Sequence, residues 1–114
     1  MSAHGSVLVA GVGPGLGIAV ATRFAREGHR VAMLARSRDR LAAMAANAPD
    51  HLVAMPCDVT DPAQVNVAFD ETEQHLGPLV CAVFNAGAFR PGSILDTAPN
   101  DFEHCWRVGA FAGF

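Results

Sequence analysis

There is no lysine and no tyrosine in these 114 residues, and all eight basic residues are arginine. The missing lysine excludes a Walker A phosphate loop. Cys57, Cys81 and Cys105 lie far apart, without a CxxC pair, so no disulfide framework is expected; they read as lone thiols in a reducing compartment. The five histidines are scattered without metal-ligand spacing, so no metal is assigned. No block of like charge is present. Eight basic residues against eleven acidic ones give a net charge of −3, and nothing in that balance points to nucleic acid. Low-complexity segments, linkers and repeats are also lacking, so residues 1–114 read as a single small unit.

Residues 5–22 carry no formal charge, and Ala19-Val20-Ala21 imitates a signal cleavage site. No lysine or arginine precedes it, as a secretory signal requires. Gly11, Gly13, Pro14, Gly15 and Gly17 would interrupt a membrane span midway. The expectation is a soluble, cytoplasmic protein with no membrane partner. Its 51% hydrophobic content is too high for disorder and fits a buried core.

Apolar runs at Ser6–Ala10, Arg30–Ala35, His51–Pro56 and Leu79–Phe84 read as strands buried on both faces. Between them lie helical patterns. Leu16 to Glu27 has Leu16, Val20 and Phe24 on one face and a stop at Gly28. Ser37 caps a helix through Asn47, with Leu41 and Met44 inward. Asp61-Pro62 starts a third helix, which ends at Leu76 before Gly77-Pro78. Thr97-Ala98-Pro99 opens a fourth, running to Phe114. The order β-α-β-α-β-α-β-α predicts a parallel sheet with helices on both faces and right-handed crossovers.

Four glycines, at 11, 13, 15 and 17, stand where the first strand hands over to its helix. In an open parallel sheet, ligands bind at the carboxyl ends of strands. A helix start there offers free N–H groups and a positive dipole end, and glycine lets a phosphate reach them. The stretch therefore reads as a phosphate cradle; the competing reading is a turn that only reverses the chain. The dinucleotide pattern G-x-G-x-x-G fails, because Leu16 or Ile18 occupies its last position. Two spacings remain.

Gly11-x-x-x-Gly15-x-Gly17 resembles the cofactor loop of the short-chain dehydrogenase/reductase family, Thr-Gly-x-x-x-Gly-x-Gly, with Ala10 in place of threonine. Gly11-x-Gly13-x-Gly15 resembles the loop of S-adenosylmethionine-dependent methyltransferases. Three later segments bear on the choice. After the second strand stand Ala35-Arg36-Ser37, where a methyltransferase or an NAD enzyme usually has an acid for ribose hydroxyls. Arg36 suits a 2′-phosphate instead, with Ser37 beside it; Arg38 and Arg40 read as surface residues. Asp58-Val59 resembles the family's adenine-contacting pair, against the alternative of a local Asx turn. Asn85-Ala86-Gly87 resembles the Asn-Asn-Ala-Gly motif, with Phe84 at its first position. An asparagine there can bridge strand backbones, and the small pair leaves room for a ribose.

The combination, spanning the chain in order, is identified with the short-chain dehydrogenase/reductase family. That resemblance implies a Rossmann-type doubly wound parallel sheet of strand order 3-2-1-4. It implies NADP(H), with NAD less favoured, hydride transfer to or from a small carbonyl or alcohol substrate, and a homo-oligomeric parent. Gly11, Gly13, Gly15, Leu16 and Gly17 would admit the pyrophosphate, Arg36 and Ser37 the 2′-phosphate, Asp58 and Val59 the adenine, and Asn85, Ala86 and Gly87 the nicotinamide ribose. The family's proton relay uses a tyrosine and a lysine, and neither occurs here. Gly109 falls where the family has its catalytic asparagine. No catalytic residue is assigned, and the chain is expected to be the amino-terminal, cofactor-binding half of a longer enzyme, inactive alone. Core packing is expected for Phe84 and Phe102. The alternatives are a methyltransferase fragment or a non-catalytic nucleotide-binding or interaction module.

Overall fold

The computed structural model describes residues 4–114. Its four strands are β1 (Ser6–Ala10), β2 (Arg30–Ala35), β3 (Leu52–Pro56) and β4 (Leu79–Phe84). They form one parallel sheet in the order β3-β2-β1-β4. The register sets Val7 beside Val31 and Cys81, and Val31 beside Leu52, with a shift between Ser6 and Val7 on the β4 side.

β1 and β2 are the centre of this sheet, so both their faces are covered. Every residue of β1 is buried, and so are Val31, Ala32, Met33 and Leu34 of β2. On one face, Val7, Val9, Val31 and Met33 pack with Ala21 of α1 (Leu16–Arg26) and Leu41 of α2 (Arg38–Ala45). On the other, Leu8, Ala10, Ala32 and Leu34 pack with Ala68 and Leu76 of α3 (Pro62–Leu76). The polar exceptions are bonded, as burial requires. Ser6 Oγ donates to the Gly77 carbonyl at 2.8 Å, and Thr72 Oγ1 donates to the Ala68 carbonyl at 2.7 Å.

Capping follows the local chemistry. Ser37 Oγ accepts from Arg40 N at 3.3 Å and Asp61 Oδ1 from Ala63 N at 3.0 Å, with Pro62 opening α3. Gly28 and Gly77 take φ of +95° and +104° at the turns that end α1 and α3. His29 Nδ1 donates to the Gly5 carbonyl at 2.8 Å, tying the start of β2 to the start of β1.

Three expectations are corrected. Leu16 does not share the buried stripe of α1. It is 67% exposed, whereas Val20 and Phe24 do pack on the sheet. It stands at the first turn, beyond the sheet's end, and Gly17 and Ala21 make the closest approach. Phe84 and Phe102 are not core residues, being 42% and 70% exposed. β4 is an edge strand whose exposure alternates, and α4 (Pro99–Trp106) buries no residue. Nor does the last helix run evenly to Phe114. A π-helical turn, Arg107–Phe111, follows α4, with Ala112 N donating to the Arg107 carbonyl at 2.8 Å. That five-residue step brings Trp106 and Phe111 onto one face, stacked at 5.4 Å, and Gly109 inside it weakens the α preference. α4 opens at Pro99 as expected, and the Thr97 hydroxyl before it donates to the Ser93 carbonyl in the preceding turn.

Candidate functional site

A cleft of about 530 Å³ opens at the carboxyl ends of β1, β2, β3 and β4. The β1–α1 loop forms its floor. Gly11 N and Val12 N both donate to the Leu34 carbonyl, at 2.9 and 3.1 Å, which holds the loop against β2. Ile18 N donates to Gly13 O and Ala19 N to Gly15 O. Gly15 caps α1 without any side-chain bond. The amides of Leu16 and Gly17, in the first turn, have no backbone acceptor among the described residues, and both residues line the cleft.

The four glycines divide into two kinds. A Cβ on Gly11, whose φ is +93°, would strike Ala86 N, and one on Gly17 would strike the Gly11 carbonyl oxygen and lie 2.7 Å from Val12 Cα. These two let backbones touch. A Cβ on Gly13 or Gly15 would meet nothing within 4 Å. Both line the cleft, and no protein atom fills the space where a side chain would stand.

Arg36, at the end of β2, is exposed and lines the cleft. Asp58 lies after β3 and close enough for the Arg36 charge to act on it. The Asp58 carboxyl is held below the usual carboxylate range, chiefly by the Thr60 hydroxyl, then by the Thr60 amide, with Arg36 assisting. Its Oδ1 accepts from Thr60 Oγ1 at 2.7 Å and Thr60 N at 2.9 Å. The local Asx turn is thus present, and Asp58 faces the cleft as well. Burial raises the neighbouring Cys57 thiol, with Asp58 and Asp61 adding to it, so Cys57 is an unreactive wall residue.

On the other side, Asn85 joins β4 to the loop. Its N–H donates to Ala10 O at 2.8 Å and its Nδ2 to Gly11 O at 3.0 Å. Ala86 and Gly87 continue that wall.

Of the twelve residues expected from the sequence, Gly11, Gly13, Gly15, Leu16, Gly17, Arg36, Asp58, Val59, Asn85, Ala86 and Gly87 line this one cleft. Ser37 does not; its hydroxyl is turned to the α2 cap. Lining residues missed by the sequence reading include Thr60, Ala88, His104, Arg107 and Val108. Thr60 could have been found from its place two residues after Asp58. His104, Arg107 and Val108 share one helix face by their i, i+3, i+4 spacing, but no sequence signal says that this face meets the cleft. Gly109 is not in the wall, and a Cβ there would meet nothing within 4 Å. Among the described residues there is no cluster of three or more metal-ligating groups, and no helix is long and apolar enough to cross a membrane.

A parallel sheet ordered 3-2-1-4, helices on both faces, and a glycine-floored cleft where the strands end define a Rossmann-type α/β protein. Comparison with known proteins narrows the class. The family model for short chain dehydrogenases matches residues 5–114. The chain is 45% identical over 109 residues to the 3-oxoacyl-[acyl-carrier-protein] reductase MabA of Mycobacterium avium, covering 96% of this chain and 40% of that protein. It is 37% identical over 87 residues to the human 3-oxoacyl-[acyl-carrier-protein] reductase, covering 76% of this chain and 37% of that protein. Among solved structures, a short-chain dehydrogenase from Rhodopseudomonas palustris superposes with a TM-score of 0.89 at 29% identity, covering 96% of this chain and 52% of that one. The chain therefore belongs to the short-chain dehydrogenase family, and it spans well under half the length of those two reductases. The methyltransferase alternative is not favoured.

Proposed function

We propose that the chain is the cofactor-binding part of an NADP(H)-dependent short-chain dehydrogenase/reductase that acts on a small carbonyl or alcohol. The observation that carries this reading is the pairing within one cleft of bare Gly13 and Gly15 with Arg36 at the end of β2. The glycines and the first-turn amides of α1 would take the diphosphate. Arg36 would take the 2′-phosphate through charge-assisted bonds. Asp58, kept ionised by Thr60, would accept from the adenine amino group through the carboxylate oxygen that Thr60 does not use. Asn85 fixes the distance between β4 and the loop, and Ala86 and Gly87 leave space for the nicotinamide ribose. Ser37 acts one step back, by capping the helix that follows Arg36.

The nicotinamide supplies the hydride when the cofactor is bound. The residues of this chain bind and orient; they include no tyrosine–lysine pair to move the proton, and Gly109 offers no side chain at the family's asparagine position. On this reading the 114 residues are inactive alone. Substrate binding, proton transfer and assembly as a homo-oligomer belong to the larger, cytoplasmic enzyme, whose substrate is a small carbonyl or alcohol.

Calorimetric titration of the chain with NADPH, NADH and S-adenosylmethionine tests the proposal. NADPH should bind best and S-adenosylmethionine not at all. Arg36→Ala should weaken NADPH far more than NADH; equal losses contradict the 2′-phosphate role. The mass of the native polypeptide separates the reductase from a free-standing module. About twice this chain fits the former, and a mass equal to it the latter.

A further inference from the structure

The wall opposite the glycine loop is one face of α4 and the turn after it, where His104, Arg107 and Val108 line the cleft. The fixed charges in the lining are two arginines and one aspartate. Asp58 and Arg36 already act on each other at the β2–β3 end. Among the described residues, Arg107 is thus the one other fixed cation in the lining. Its partner there is Glu103, four residues back, at 3.2 Å, with both side chains about half exposed (47% and 60%). Such exposed pairs hold weakly and exchange readily. The guanidinium lies 6.0 Å from the centroids of both Trp106 and Phe111, whose rings stack on each other. This aromatic shelf, created by the π-helical step, limits where the cation can go.

A dinucleotide brings a diphosphate to a chain of net charge −3 that has no lysine. Backbone amides alone meet it on the glycine side. We propose that Arg107 is a second anion-binding side chain of the cleft, closing on the diphosphate from the α4 side and exchanging Glu103 for phosphate oxygens. A planar guanidinium suits that exchange, because it can grip two oxygens at once. The proposal rests on the nucleotide reading above and adds to it a residue from outside the glycine loop.

The test uses three ligands that separate the phosphates. NADPH carries both groups, ADP-ribose has the diphosphate without the 2′-phosphate, and 2′-AMP has the 2′-phosphate without the diphosphate. In calorimetry on the 114-residue chain, Arg107→Ala should weaken NADPH and ADP-ribose about tenfold or more and leave 2′-AMP unchanged. Arg36→Ala should do the reverse for the two partial ligands. Glu103→Gln, which frees the guanidinium without removing it, should tighten ADP-ribose. Unchanged ADP-ribose affinity in Arg107→Ala overturns the proposal, and so does an equal loss on 2′-AMP. If the unsubstituted chain binds none of the three, the nucleotide reading itself fails. If it binds all three and Arg107→Ala does too, only the role of Arg107 falls.

Discussion

Alanine at position 13 and alanine at position 17 should fail in opposite ways. At Gly17 the new methyl would strike the Gly11 carbonyl oxygen and come within 2.7 Å of Val12 Cα, both backbone atoms that cannot swing aside. α1 must then lift from the β1 end. Forced overpacking of this kind costs about 1–3 kcal/mol. In a domain of this size each kcal/mol lowers Tm by roughly 4–8 °C, so Gly17→Ala should melt about 5–20 °C lower. At Gly13 the methyl meets nothing within 4 Å, and φ is outside the left-handed range. Gly13→Ala should fold normally, with Tm unchanged or slightly raised by the stiffer unfolded chain. Its methyl would stand where a phosphate oxygen must approach the loop. Losing one charge-assisted bond raises Kd by roughly 10- to 100-fold. Thermal unfolding by circular dichroism and calorimetry with NADPH give the two readouts. If Gly17→Ala melts with the parent, the helix and strand are not in contact there. If Gly13→Ala keeps full affinity, the diphosphate does not rest on that part of the loop.

Thr60→Val removes the hydroxyl that does most to hold the Asp58 carboxyl low, and keeps the amide. The sign is fixed: a carboxyl depressed in the folded state contributes stability at neutral pH and loses it as pH falls through its folded value. The Asp58 titration midpoint, followed by NMR, should therefore move up toward the ordinary carboxylate range in Thr60→Val. The acid-side loss of stability should shrink in Asp58→Asn, measured as urea midpoints below about pH 4. An unmoved midpoint would mean that the Thr60 hydroxyl does not set the charge. Ser37→Ala removes the α2 cap at a cost of about 1 kcal/mol, visible in the urea midpoint, and should leave NADPH affinity unchanged. A weakened NADPH titration at full stability would return Ser37 to the phosphate.

The central sheet is legible in the amino-acid order because each signal there is local. β2 and β4 start and stop where their apolar runs do, and Ser37 and Asp61 mark helix starts through bonds from amides two or three residues on, with Pro62 at the first helical position of α3. The cradle is legible for the same reason, since four glycines between a strand and a helix need no distant partner. The division of labour among them is not, because it depends on what stands across from each: Ala86 for Gly11, the Gly11 carbonyl for Gly17, open space for Gly13 and Gly15. Asp58 makes the local turn through Oδ1 and also lines the cleft, so the two readings of that residue do not exclude one another. Phe84, Phe102 and Leu16 depart from expectation because apolar character says that burial is favourable without saying what is there to bury against. Arg107 carries no sequence signal of its own, since its approach to the cleft depends on the path of the chain through residues 88–98 and on the π-helical step that follows α4.

These placements give the molecule two unequal halves, joined along the β1–β4 ladder and, at the cleft end of that ladder, by Asn85. β1 and β2 are sealed on both faces, while β4 alternates in exposure and α4 buries nothing. The β4–α4 side should open on its own, at lower free energy than the whole. Every such opening breaks the bonds from Asn85 N to Ala10 O and from Asn85 Nδ2 to Gly11 O, and so dismantles the cleft. A ligand that spans the cleft opposes all openings that destroy its site. At a free concentration of about 100 Kd it stabilises the closed form by about 2.7 kcal/mol, which is roughly a hundredfold in population. Saturating NADPH should therefore slow amide exchange at Val83, Phe84 and Asn85 by about that factor. Amides near the end of α3, at His75 and Leu76, which lie outside the lining of the cleft, should exchange as before. Protection confined to the β1 and β2 amides would show a ligand bound on the glycine side alone, and the joint at Asn85 would carry nothing between the two halves.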